Sequence, residues 1–180
     1  MEYPKILTPN FLENFEFNGQ IVQIPKVIVE FTAWNGIPIE NTFGNKPLIN
    51  FNGKPMFAEL AIMNIFIENS WNAKWIETYA KPKMNPIYLS EWIDKPFKNQ
   101  KNDSIDNKLI QIVLNAIAKN NGDNFGGCWD VVAWKNDKLI FAESKRSKKD
   151  SIKTTQNKWL KSAFEIGLTE ENFLIVEWKT

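Results

Sequence analysis

Late in the chain two stretches, residues 128–134 (CWDVVAW) and 138–145 (KLIFAESK), carry β-branched and aromatic residues at strand spacing. Asn136 and Asp137 between them suit a two-residue hairpin turn. Residues 173–178 (FLIVEW) read as a further apolar strand and residues 71–80 (WNAKWIETYA) as another. Residues 57–69 (FAELAIMNIFIEN) predict a helix that is apolar on nearly every side, hence largely buried. A second helix is expected from Ile105 to about Lys119, capped by Ser104 and closed by Asn120, Asn121 and Gly122. Its stripe is Ile105, Leu109, Ile112, Val113, Ala116 and Ile117. A third, capped by Thr154 or Thr155, should run to Ile166 and stop at Gly167.

Residues 1–55 carry Pro and Gly at intervals among β-rich runs at 21–24 and 27–34, which Pro25 is expected to interrupt. Residues 81–103 are loop-like. The chain therefore divides into a β-rich extension (1–55), core segments (56–80 and 126–180) and an insertion with one helix (81–125), all in one domain. Helix, strand, insertion, strand, strand, helix, strand is an order that fits an α/β (α+β) fold, a mixed central sheet flanked by helices.

Histidine is absent and Cys128 is the only cysteine, which changes the functional picture. Histidine-dependent triads, Cys-His pairs, His-ligated zinc and an intramolecular disulfide are all excluded. Carboxylates, lysine and hard cations such as Mg²⁺ or Mn²⁺ remain. Thirteen Phe and eight Trp are ample for a core. No apolar run is long enough to span a membrane and no leader pattern opens the chain, so a cytoplasmic protein without membrane contact is expected. Net charge is only +1, but between Lys135 and Lys161 nine basic residues stand against three acidic ones. A local basic patch on a nearly neutral protein is a footprint for a polyanion; a solvated lysine-rich face would leave the same trace.

With Asn136-Asp137 as the turn, Lys135 faces Lys138, and counting on places Asp130 opposite Glu143. Such residues have Cβ atoms roughly 4.5–5.5 Å apart. Two carboxylates so placed repel, and a divalent cation between them turns repulsion into ligation. Period-two alternation puts Lys145 on the face of Glu143. An ammonium there can support an attacking water or neutralise charge on a phosphate in the transition state. Glu59, within the apolar stripe of its helix, would add a carboxylate if that face packs on the hairpin, as an outer metal ligand or to orient water. Gln156 shares a helix face with Trp159, Leu160 and Ala163, so it should point inward. Arg146, Lys148, Lys149 and Lys153 follow in a loop suited to phosphate contact. Gly126-Gly127 suits a turn or a close backbone approach before the strand. Cys128 reads as a buried apolar residue. Trp34, Trp71, Trp75, Trp92 and Trp178 read as core or interface; Trp129 and Trp134 suit either core or base stacking.

Glu59, Asp130, Glu143-Ser144-Lys145 and Gln156, in this order on helix, strand, strand and helix, resemble the PD-(D/E)XK nuclease superfamily. Residues 145–167 are most similar to its VRR-NUC-type branch, where a basic loop and a helix opening with Gln follow the E-x-K strand. The resemblance covers about residues 55–180 without the insertion. It implies a restriction-endonuclease-like αβββαβ core and Mg²⁺- or Mn²⁺-dependent cleavage of DNA. It further implies metal ligation by Asp130, Glu143 and the Ser144 carbonyl, with Lys145 supporting the nucleophilic water. Trp129 stands where the motif often has Pro, and residues 1–55 and the insertion have no counterpart in it. Little room is left for a sequence-reading domain, so targeting would come from a partner subunit or a homodimer. The alternative is a non-catalytic nucleic-acid- or partner-binding module on the same fold.

Overall fold

A computed structural model describes residues 2–17, 19–78 and 85–180. Its ten strands are β1 (Phe11–Phe17), β2 (Gln20–Glu30), β3 (Thr32–Ala33), β4 (Ile49–Phe51), β5 (Lys54–Met56), β6 (Asn72–Glu77), β7 (Ile87–Leu89), β8 (Val131–Lys135), β9 (Lys138–Arg146) and β10 (Phe173–Lys179). The α-helices are α1 (Ala58–Glu68), α2 (Lys108–Asn120) and α3 (Thr154–Glu165). Seven strands form a mixed sheet in the order β1-β2-β10-β9-β8-β6-β7, and β3-β4-β5 form a small second sheet. β9, β10 and β2 run parallel to one another, and the other neighbours are antiparallel. The coarse expectation of a mixed sheet flanked by helices thus holds. Among the described residues no helix is long and apolar enough to cross a membrane.

Alternation along the strands sorts the core onto both faces of the sheet. Val131 and Ala133 of β8 join α1 on one face, while Val132 and Trp134 join α2 and α3 on the other. The fully buried Trp75, Trp129 and Trp159 anchor these layers. A side chain of that size buries roughly 150–250 Å², a gross gain of about 4–6 kcal/mol each at ~25 cal/mol per Å². α1 is buried almost all round, as its composition demands. One side lies on the main sheet, and the β4–β5 hairpin covers another through Asn52 Nδ2 donating to Glu68 Oε1 at 3.1 Å and Asn64 meeting Met56.

Several local expectations are corrected. Residues 1–55 are not an appendage, because β2 pairs with β10 and so extends the main sheet. Pro25 does not interrupt β2. The Lys26 carbonyl accepts from Asn10 on the β1 side, so the Pro25 nitrogen faces the other edge, where the β10 ladder starts only at Lys26. α2 is capped by Asn107, whose Oδ1 accepts from Leu109 and Ile110 N–H, not by Ser104. Its buried stripe is Ile110, Leu114, Ile117 and Ala118, while Leu109 and Ile112 are exposed. α2 packs on α3, with Asn120 donating to Ser162 O and Glu165 Oε2. The N-cap position of α3 is Lys153 rather than a threonine. The expected strand over residues 71–80 is seen as β6; Tyr79 and Ala80 lie outside the described residues.

Candidate active site

The β8–β9 hairpin has the register its turn requires. Lys135 pairs with Lys138, Trp134 with Leu139 and Val131 with Ala142, and Asn136 takes φ +56° at the turn. Asp130 lies one residue beyond this ladder. Its backbone carbonyl accepts from Ile76 N–H at 2.7 Å, which ties it to β6. Its Oδ2 accepts from Ser144 N–H at 2.9 Å. A strand residue's N–H and C=O point to the same edge. The Ser144 carbonyl is therefore directed toward the Asp130 side, where β8 has ended.

Glu143 is 1% exposed. Its Oε1 is 2.9 Å from Lys145 Nζ and accepts from Gln156 Nε2. Gln156 Oε1 in turn accepts from Lys145 Nζ at 3.1 Å and from Lys153 N–H at 2.8 Å, the backbone group at the start of α3. Gln156 thus joins the helix start to the strand that carries Glu143 and Lys145. Glu143 Oε2 is buried and has no hydrogen-bond partner among the described residues. Burial first, then the neighbouring Asp130 carboxylate, push the Glu143 carboxyl well above its ordinary pKa, against the pull of Lys145. Burial and the charge of Glu59 push Asp130 up to about 6, although Lys46, Lys145 and the Ser144 N–H act the other way. Two acids held this way favour a proton or a cation beside them.

A cleft of about 410 Å³ opens on this pair, and Glu59, Asp130, Glu143, Lys145 and Gln156 all line it. Five residues expected from distant parts of the sequence are therefore brought together. Arg146, Lys149 and Lys153 form its basic rim, with Arg146 5.7 Å above the Trp178 ring. Lys148 is exposed and does not line it. Glu59 lines the cleft with its carboxylate paired to a lysine. Its Oε1 is 2.6 Å from Lys46 Nζ. Lys46 is the site residue that sequence reasoning missed. It comes from residues 1–55, and nothing in the sequence separates it from the chain's other lysines. Cys128 is buried, and burial together with Glu143 and Asp130 raises its thiol pKa, which fits an inert side chain. Trp129 and Trp134 are buried in the core rather than offered to bases.

The hard-cation expectation can be tested against these donors. A buried, donorless carboxylate oxygen beside a second carboxylate, with a backbone carbonyl turned to the same edge, is an all-oxygen set that suits Mg²⁺ or Mn²⁺. Among the described residues no cluster of three or more Asp, Glu or Cys side chains is arranged to hold a metal. The side-chain ligands would then be Asp130 and Glu143, with Ser144 O, water and substrate completing the shell.

Gly127 makes this packing possible. It takes φ +86°, and an added Cβ would collide with the Thr155 carbonyl and lie 2.8 Å from Gln156 N. α3 thus begins directly against the turn that precedes Asp130. Gly127→Ala is expected to cost about 2–4 kcal/mol. Thermal unfolding should register this as a fall in Tm of roughly 5–15 °C. A variant melting with the wild type would show that the approach is not tight.

Comparisons with protein-family models, curated proteins and solved structures return no match. The functional reading therefore stands on the site itself.

Proposed function

We propose that this protein is an Mg²⁺- or Mn²⁺-dependent nuclease that hydrolyses DNA phosphodiester bonds. The observation that carries this reading is the Asp130–Glu143 pair, a half-buried carboxyl beside a buried one whose Oε2 has no donor among the described residues, next to Lys145 in a basic-rimmed cleft. Structural design alone would not set a buried carboxylate beside a second acid. Support also comes from element order. α1, β6, β8, β9, α3 and β10 follow one another as the resemblance implies, with β10 parallel to β9.

A divalent cation on Asp130, Glu143 and the Ser144 carbonyl would supply Lewis-acid polarisation of a phosphate oxygen and help activate water. The chain's own groups do the rest. Gln156 ties the Lys145 ammonium to the Glu143 carboxyl, accepting from the first and donating to the second. Lys145 is then poised to stabilise charge that develops on the scissile phosphate. Lys149, Lys153 and Arg146 hold the flanking backbone.

Cleavage of plasmid, linear, single-stranded and branched DNA with Mg²⁺ or Mn²⁺ tests the proposal. Wild type should cut at least one of these substrates and Asp130→Ala none. Identical behaviour of the two proteins on every substrate rules the nuclease reading out. Salt-dependent binding without cleavage would instead favour a non-catalytic nucleic-acid-binding module. The rim makes a separate prediction. Changing Lys149 and Lys153 together to alanine should lower the salt slope of DNA binding by about 2, and Lys148→Ala should alter affinity less than about twofold. Fluorescence anisotropy across a NaCl series would check both.

A further inference from the structure

A second lysine ammonium, from residues 1–55, lines the cleft. Lys46 follows the turn Phe43-Gly44-Asn45, whose φ values are +44°, +74° and +60°. Three successive left-handed residues, two of them not glycine, are a disfavoured backbone that persists only when its surroundings enforce it. Here they do. The Phe43 ring stacks on Phe97 at 4.6 Å and packs on Trp92 at 5.4 Å, and Lys46 N–H closes the turn onto Thr42 O at 3.1 Å.

The ammonium itself is held on several sides. It lies 2.6 Å from Glu59 Oε1, 5.0 Å from the Trp75 ring centroid and 5.6 Å from that of Phe43. Glu59 is mostly buried, its side chain 13% exposed. Burial opposes the charge on Lys46, yet Glu59, Asp130 and Glu77 outweigh it and hold its pKa above the ordinary lysine value. A partly desolvated ion pair on a strained turn is a poor device for stability, since an apolar pair would serve as well. As a device for placing one charge it is efficient. Asp130 sits within electrostatic reach of both Lys46 and Lys145, and both lysines line the cleft. A phosphodiester backbone lying in the cleft would be within reach of both.

We propose that Lys46 is a second phosphate-contacting lysine of this cleft, and that Glu59 is its positioning residue rather than a metal ligand. The inference rests on the nuclease reading above. It assigns to residues 1–55 a direct part in the site and gives Glu59 a role exerted through its partner.

The test uses the full chain as wild type, Lys46→Met, Lys46→Arg, Glu59→Gln and the Lys46→Met/Glu59→Gln double variant. Each is followed by Mn²⁺ calorimetry, by anisotropy of a short fluorescent DNA duplex in EDTA, and by cleavage rate. Lys46→Met should lower the salt slope of duplex binding by about 1 and slow cleavage about tenfold or more, without weakening Mn²⁺ binding. Lys46→Arg should recover most of both losses. Glu59→Gln should keep Mn²⁺ affinity within about threefold while slowing cleavage, and the double variant should be no slower than the worse single one. If Lys46→Met does not fold, Lys46→Gln carries the same measurements. Loss of Mn²⁺ binding in Glu59→Gln would make Glu59 a ligand and overturn the proposal. So would a Lys46→Met protein that binds and cuts as wild type does. A wild type that neither binds Mn²⁺ nor cleaves DNA removes the nuclease reading and this inference with it; a wild type that cleaves beside unaffected variants removes this inference alone.

Discussion

Replacing Glu143 with glutamine should abolish Mn²⁺ binding and slow DNA cleavage by about three orders of magnitude or more, with the fold intact. The shape of the side chain is conserved, so the packing around a residue that is 1% exposed survives. Gln156 can still meet the Oε1 position, and Lys145 keeps its bond to Gln156 Oε1 at 3.1 Å. What is lost is the carboxyl oxygen that no donor among the described residues satisfies. Removal of one preorganised charge-stabilising group commonly costs about 10²–10³ in rate, and loss of a cation that also activates the nucleophile costs more. DNA binding in EDTA should remain or strengthen, because the variant removes a negative charge beside a polyanion site. That separation of binding from turnover is the signature of a catalytic carboxylate. Glu143→Gln cleaving within tenfold of wild type would sink the nuclease proposal.

The part of this site that could be read from sequence is the part governed by local rules. The hairpin turn at Asn136-Asp137 fixes the pairing of β8 and β9, and period-two alternation then places Glu143 and Lys145 on one face. Helical spacing likewise turns Gln156 inward with Trp159 and Leu160. Asp130 was legible as a neighbour of Glu143, though not as the group that closes the end of the ladder by accepting from Ser144 N–H.

Long-range packing decided the rest. Lys46 reaches Glu59 only because Phe43 docks among Phe97, Trp92 and Trp75, and no periodicity encodes that contact. α2 illustrates a different limit. Apolar residues occupy positions 109, 110, 112, 113 and 114, so more than one stripe is available, and docking on α3 selects the one through Ile110, Leu114 and Ile117. The β-rich segment ahead of residue 56 read as an extension of the core because its partner, β10, lies near the far end of the chain. Parallel pairing across such a distance leaves no local signal.

Metal and protons should compete for the same two acids, and the competition should be visible in stability. A carboxyl whose folded pKa lies above its unfolded one binds more protons in the folded state between the two values. Stability contributed by protonation is then fully present below the unfolded pKa and is lost as pH rises through the folded one. For Asp130 that window runs from 3.8 to about 6, and for Glu143 it extends upward from 4.5. Asp94, Asp103 and Glu177 are held below their ordinary values by hydrogen bonds to Asn41, to Ser90 and to Lys26, so their stabilisation is already complete at pH 5. The metal-free protein should therefore lose on the order of 2 kcal/mol between pH 5 and 8. Mn²⁺ should act in the opposite sense. At about 100 times its Kd a ligand of the folded state contributes ~2.7 kcal/mol, or roughly 5–10 °C in Tm for a chain of this size. That gain should appear at pH 8 and shrink to about 2 °C or less at pH 5, where the acids hold protons that the cation must displace. Thermal unfolding in EDTA and in Mn²⁺ at several pH values measures both trends. Asp130→Asn should flatten both. An Mn²⁺ shift of equal size at pH 5 and pH 8 would mean that the cation binds somewhere other than the Asp130–Glu143 pair.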